Sequence, residues 1–211
     1  MRRCARRRKL STEMDFAELP QQIAFGLPSW IFTERDLNVS CRSDEDWMDF
    51  AIELAQSNVE HGGGPFGAVV METGSGRVIA PGVNLVVPAS CSLLHAEIVA
   101  LMFAQARLQS FTLAAGDYTL FTSSEPCIQC LGACHWAGLS RLVCGAPLSV
   151  AEAAGFDEGP RTPDWQEQLR ARGTEVRTGV RADAATQILS DYARRGLFRY
   201  NARSKWPASS E

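Results

Sequence analysis

The chain has 211 residues, of which 45% are hydrophobic and 21% charged, and its formal net charge is −3. That composition suits one large or two small globular domains, and no stretch approaches the roughly 18 apolar residues of a membrane-spanning helix. Without the first ten residues, 15 basic side chains face 24 acidic ones, a net −9, which argues against a nucleic-acid partner whose phosphates demand a basic surface.

The basic residues that mask this imbalance are Arg2, Arg3, Arg6, Arg7, Arg8 and Lys9. They lack the apolar core of a secretory signal and read as a tail. Residues 1–26 are expected to form an irregular arm with this basic start, residues 27–203 a single domain, and residues 204–211 a C-terminal tail. Up to residue 43 only 27–32, with Trp30 and Ile31, offers a segment that should pack. Ser43 and Asp46 have capping-box spacing. Trp47, Phe50, Ala51, Leu54 and Ala55 then repeat at helical spacing until Gly62, Gly63 and Gly64 stop the helix.

Residues 66–71 and 77–80 flank Thr73-Gly74-Ser75-Gly76 and read as a hairpin. A further extended piece, 83–87, leads to a helix over the apolar run 98–103. Residues 118–122 form a strand that delivers the chain to Pro126, the expected start of the next helix. Residues 141–145 form a strand, 163–172 a helix, 174–180 an extended segment and 182–195 an amphipathic helix. The alternation predicts an α/β fold around one five-stranded sheet. About 28 residues separate the last two strands, enough for a parallel crossover.

Two short stretches carry chemistry. His95 and Glu97 are one residue apart, and Pro126 precedes Cys127 and Cys130. Cysteines at i and i+3 share a helix face, and a helix N-terminus favours thiolates. Residues i and i+2 point about 200° apart in a regular helix, so His95 and Glu97 reach one metal only if the helix begins there. Three protein ligands leave a fourth tetrahedral position for water, the mark of a catalytic zinc site. The pattern H-x-E…P-C-x-x-C is the signature of zinc-dependent nucleobase deaminases, with one Zn2+ per chain. Seven cysteines without regular spacing make no disulfide framework, and a thiolate site suits a reducing, cytoplasmic setting. Cys134, four residues after Cys130, reads as helix packing rather than as a further ligand.

With these motifs the chain resembles the cytidine deaminase superfamily and, more narrowly, the bacterial guanine deaminases. The narrower likeness rests on Gly63-Gly64-Pro65-Phe66-Gly67, Asn84 with Val86-Val87-Pro88, Leu131-Gly132-Ala133 with Trp136, and Gly155-Phe156-Asp157-Glu158-Gly159-Pro160. It implies a three-layer α/β/α sandwich around a five-stranded mixed sheet, a homodimer, and conversion of guanine to xanthine and ammonia in nucleobase catabolism. Glu97 is the implied general acid–base and Glu158 a second proton shuttle. The substrate is expected at Asn84, Phe66, the Ala96 N–H, Phe156 and Trp136, with the two Phe rings sandwiching the base. The segment 199–203 is an implied lid. Alternatives are a tRNA adenosine deaminase and a cytosine or ammeline-type aminohydrolase. Gln129 stands where such enzymes often have Met.

Overall fold

The computed structural model describes residue 20, residues 22–39 and residues 43–204; the basic run and most of the expected tail lie outside the described residues. The element order is α1 (Trp30–Glu34), α2 (Asp44–Glu60), β1 (Gly67–Glu72), β2 (Arg77–Val83), α3 (Ala96–Leu108), β3 (Tyr118–Ser124), α4 (Ile128–Ala137), β4 (Arg141–Ala146), α5 (Leu148–Ala153), α6 (Trp165–Arg170), β5 (Glu175–Arg177) and α7 (Ala182–Arg194). Helix α2 starts as its sequence dictates. The Ser43 hydroxyl accepts from the Asp46 N–H, and the Asp46 carboxylate accepts from the Ser43 N–H. This satisfies one first-turn donor and the cap's own N–H.

The sheet order is β2-β1-β3-β4-β5. β1 runs antiparallel to β2 and β3, whereas β3, β4 and β5 are parallel. Strand periodicity of two divides the buried side chains between the faces. Val69, Met71, Phe121 and Val143 pack with Trp47, Met48, Leu54, Leu189 and Tyr192 of α2 and α7. Ala68, Val70, Leu120, Leu142 and Cys144 pack with Ala100, Ala104, Cys134, Trp165 and Leu169 of α3, α4 and α6. The result is the three-layer sandwich around a five-stranded mixed sheet that the sequence predicts.

Three details differ from the sequence reading. The segment 83–87 is not a separate extended piece, because β2 continues through Pro81 and Gly82 to Val83. An edge strand tolerates Pro, having no ladder partner on one side. Gly82 lets α3 approach closely, since a Cβ there would sit 2.2 Å from the Ala96 carbonyl oxygen. The second difference is α1, where Trp30 and Ile31 bury themselves in a five-residue helix. The third is α5, a six-residue helix too short to display a period.

Candidate active site

Strands β3 and β4 are parallel and end together, with Ser124 opposite Ala146. Ligands in α/β sheets gather at such carboxyl ends, and both chemistry-bearing stretches arrive here. His95 is the N-cap of α3 and has an extended backbone, φ −68° and ψ 155°. It therefore lies outside the helical series that begins at Ala96, and its side chain and that of Glu97 both line one cavity. Cys127 is likewise the N-cap of α4, with φ −68° and ψ 174°. Pro126 is thus not the first helical residue; it stands before the cap, because a capping residue must be non-helical. Cys130 follows in the first turn.

The Cys127 and Cys130 sulfurs lie 3.5 Å and 3.6 Å from His95 Nδ1, and all three ligand atoms fall within 4.8 Å of one another. A tetrahedral zinc with Zn–S of about 2.3 Å and Zn–N of about 2.1 Å separates sulfur from nitrogen by about 3.6 Å. The donor set and its spacing fit one zinc. Among the described residues this is the one such group. Cys134 is fully buried in the core against α3.

The electrostatics point the same way. A hydrogen bond from the Cys130 thiol, aided by the His95 imidazole, outweighs burial and brings Cys127 down to about 4. Cys130, the donor, is pushed well above its ordinary value. Burial opposes a charged His95, yet the neighbouring Cys127 thiolate, Glu97 and Glu158 raise its pKa. Burial first, and then the Cys127 charge, raise Glu97. The same two causes, with Glu97 added, lift Glu158 to about 8. Four acidic groups around a single imidazole make a site that a divalent cation would neutralise.

The cavity measures about 650 Å³ and is lined by Phe66, Asn84, His95, Glu97, Phe156, Glu158 and Tyr200, among others, a size usual for small-molecule sites. Glu158 is fixed through its backbone, since the Ile128 N–H at the start of α4 donates to its carbonyl at 3.2 Å. Asn84 is 1% exposed. Its Oδ1 accepts from the Val86 N–H at 3.3 Å. That group can only donate, so the opposite end of the amide is the NH2. It donates to the Tyr200 hydroxyl at 2.6 Å.

The segment bearing Tyr200 is tied down on both sides. Arg199 Nε donates to the Ala154 carbonyl at 2.8 Å, and the Asn201 amide bonds the Gly155 carbonyl and the Asp157 N–H, both at 2.9 Å. The C-terminal segment thus forms part of the wall of its own chain's cavity.

Of the sequence-predicted site residues, the structure brings His95, Cys127, Glu97, Glu158, Asn84, Phe66 and Phe156 to this cavity, and Cys130 joins them through its sulfur beside His95. The two Phe rings do not stand as parallel faces. They meet edge to face, 5.1 Å apart at 74°, because Phe156 also packs on Tyr192 and Tyr200. Ala96 does not line the cavity and is fully buried in the core between α3 and the sheet, and as the first helical residue its N–H has no acceptor within α3. Trp136 is not brought to the cavity: it is 81% exposed on α4. Sequence reasoning marks 199–203 as a lid without giving Tyr200 a role of its own, and it passes over Asn58, which carries no motif signal.

Residues 41–146 match the cytidine and deoxycytidylate deaminase zinc-binding region. The chain is 41% identical to the solved structure of a guanine deaminase from Nitrosomonas europaea, covering 83% of this chain and 98% of that one with a TM-score of 0.79. It is 39% identical to a guanine deaminase of Bacillus subtilis over 54% of this chain and 71% of the relative. It is also 33% identical to a tRNA-specific adenosine deaminase of Haemophilus influenzae over 71% of this chain and 82% of that protein.

Proposed function

The chain belongs to the cytidine and deoxycytidylate deaminase zinc-binding family, and we propose that it hydrolyses free guanine to xanthine and ammonia. The observation that carries this reading is the convergence of the buried Glu97, the half-buried Glu158, the His95–Cys127–Cys130 ligand set and Asn84 at one cavity. When bound, zinc supplies a water of lowered pKa at that ligand set. Glu97 takes the proton of the attacking water and delivers it to a ring nitrogen of the base. The water oxygen first bonds to C2, and the bond from C2 to the exocyclic amine then breaks as the amine leaves protonated. Glu158, whose pKa burial and then the Cys127 charge raise, is placed to protonate that amine and to recover a proton from the hydroxyl on C2, which leaves the carbonyl of xanthine. The Asn84 NH2 offers a donor, which suits the oxo group of guanine, and Phe66 and Phe156 supply apolar edges.

The working unit in this reading is 27–203, with residues 1–26 as an accessory arm. Leu93, Met102, Phe111, Ile128 and Trp136 are exposed on α3, α4 and their flanks. Apolar surface of this kind suits association, and we read it as the contact of a homodimer. No helix among the described residues is long and apolar enough to cross a membrane, and a thiolate metal site suits the cytoplasm, where nucleobase catabolism would place it.

The tRNA-editing alternative has the H. influenzae similarity in its favour, but the acidic body opposes a polyanionic substrate. Ammonia release from guanine, guanosine, cytosine, adenine, ammeline and tRNA decides between them. We expect guanine to have the highest kcat/KM; release from tRNA alone would overturn the proposal.

A further inference from the structure

Asn58, in the last turn of α2, is 2% exposed and touches neither the cavity nor the zinc ligands. Its amide NH2 donates to two backbone carbonyls, Gly64 and Asn84, each at 2.9 Å. Both partners only accept, so this end of the amide must be the nitrogen. The Gly64 carbonyl also accepts from the Phe66 N–H at 2.9 Å, and the Phe66 carbonyl accepts from the Asn84 N–H at 3.2 Å. Asn58, Gly64, Phe66 and Asn84 thus close a ring of hydrogen bonds. Two of its four members are the cavity residues assigned above to the base. The ring is pinned to α2 once more by the Gly63 N–H, which donates to the Asn58 carbonyl at 2.7 Å.

The three-glycine stop after α2 takes its meaning from this ring. A Cβ on Gly63 would sit 2.3 Å from Asn58 Nδ2 and 2.5 Å from its Cγ, so position 63 must be bare for the chain to wrap the Asn58 side chain. A buried primary amide with each hydrogen on a carbonyl is an exacting arrangement. Leaving a partner unmatched costs more than the bond itself contributes.

We infer that Asn58 is a positioning residue for base recognition: it sets the depth and orientation of Asn84 and Phe66 through their backbones. The inference rests on the nucleobase reading of the cavity. Asn58 bonds none of the groups assigned to chemistry. His95 and Glu97 are held by α3 and the two cysteines by α4, so a loosened ring weakens substrate binding while the reacting groups stay in place. This is uniform binding, whose loss raises KM and leaves kcat unchanged.

The test uses the full-length zinc enzyme and two variants that disturb the ring differently. Asn58→Asp keeps the shape but replaces the NH2 donor by oxygen. Gly63→Ala keeps every polar group and pushes on the amide. Each is measured for KM and kcat on guanine, bound zinc and melting temperature, alone and combined with Asn84→Ala. We expect each single variant to raise KM about tenfold or more, with kcat within about threefold and zinc stoichiometry unchanged. On the Asn84→Ala background the same changes should add less than about twofold, since residues acting as a unit are non-additive.

An unchanged KM in both variants, or a full additional loss on top of Asn84→Ala, would overturn the inference. A lowered melting temperature with wild-type KM would reduce Asn58 to a structural role and overturn it as well. Wild-type enzyme inert toward guanine would instead overturn the functional reading, and the inference with it.

Discussion

Asp44 and Glu97 occupy nearly the same helical position at opposite ends of the sheet. Asp44 is the first residue of α2, Glu97 the second of α3, and both side chains are largely shielded from water. A helix N-terminus favours a negative charge at either, yet they move in opposite directions. At the amino ends of β3 and β4, hydrogen bonds from Arg141 at 2.6 Å and 2.7 Å, with Arg177 beside them, hold the Asp44 carboxyl below its ordinary value despite burial. At the carboxyl ends, burial and then the Cys127 charge raise Glu97. The helix contribution is roughly 0.3–1 kcal/mol, too small to decide either case. The arginines outweigh burial at Asp44, whereas at Glu97 burial leads and the Cys127 charge adds to it: one end of the molecule is built to keep a carboxylate, the other to keep an exchangeable proton.

Removing Cys127 should have the largest effect. Cys127→Ala takes away a zinc ligand, and metal analysis should show loss of most bound zinc with activity near background. Full zinc stoichiometry in the variant would mean that another group completes the site. Next come the two acids. Glu97→Gln imitates the protonated form that burial already favours, so fold and zinc should remain while kcat on guanine falls by about 10²–10⁴. Glu158→Ala should lower kcat by about tenfold, roughly 1.4 kcal/mol. Steady-state kinetics with melting curves as control measure both, and a near-wild-type rate in either would return that residue to a passive wall.

The smallest effect on activity belongs to the far end. Asp44→Asn should leave kcat/KM alone and lower stability by roughly 1–3 kcal/mol, since the pair is partly shielded and one partner remains. The folded pKa of Asp44 is depressed, so its contribution is fully present above the unfolded value of 3.8 and lost as pH falls through the folded one. Denaturant curves for wild type and variant should therefore converge in acid and separate at neutral pH. A constant gap down to pH 2 would show that Arg141 and Arg177 do not govern this carboxyl.

Much of the zinc wall was legible in the chain because its geometry is local. Ligands at i and i+3, and a His-x-Glu pair split by a helix start, are set by backbone conformation over a few residues. The capping box at Ser43 and the glycine stop at 62–64 are likewise short-range signals, and the strands announce themselves through runs buried on both faces. The fold class followed from their alternation. Where the reading went astray, a tertiary fact was missing. Pro81 does not end β2, because that strand lies at the sheet edge, and Cys127 rather than Pro126 sets the start of α4, because the cap must turn toward the metal site.

The sequence by itself singled out His95, Cys127 and Cys130 as a ligand set, with Glu97 beside them. Only the tertiary structure decided how a base would be met. Glu158 arrives from a loop held by the start of α4, Tyr200 from 116 residues beyond Asn84, and Asn58 reaches Asn84 across 26 residues. Trp136, on the metal helix itself, stands in solvent. Hydrogen bonds across such separations have no period or spacing in the chain. They exist only because the sheet brings the carboxyl ends of its parallel strands to one edge, where loops of any sequence distance become neighbours.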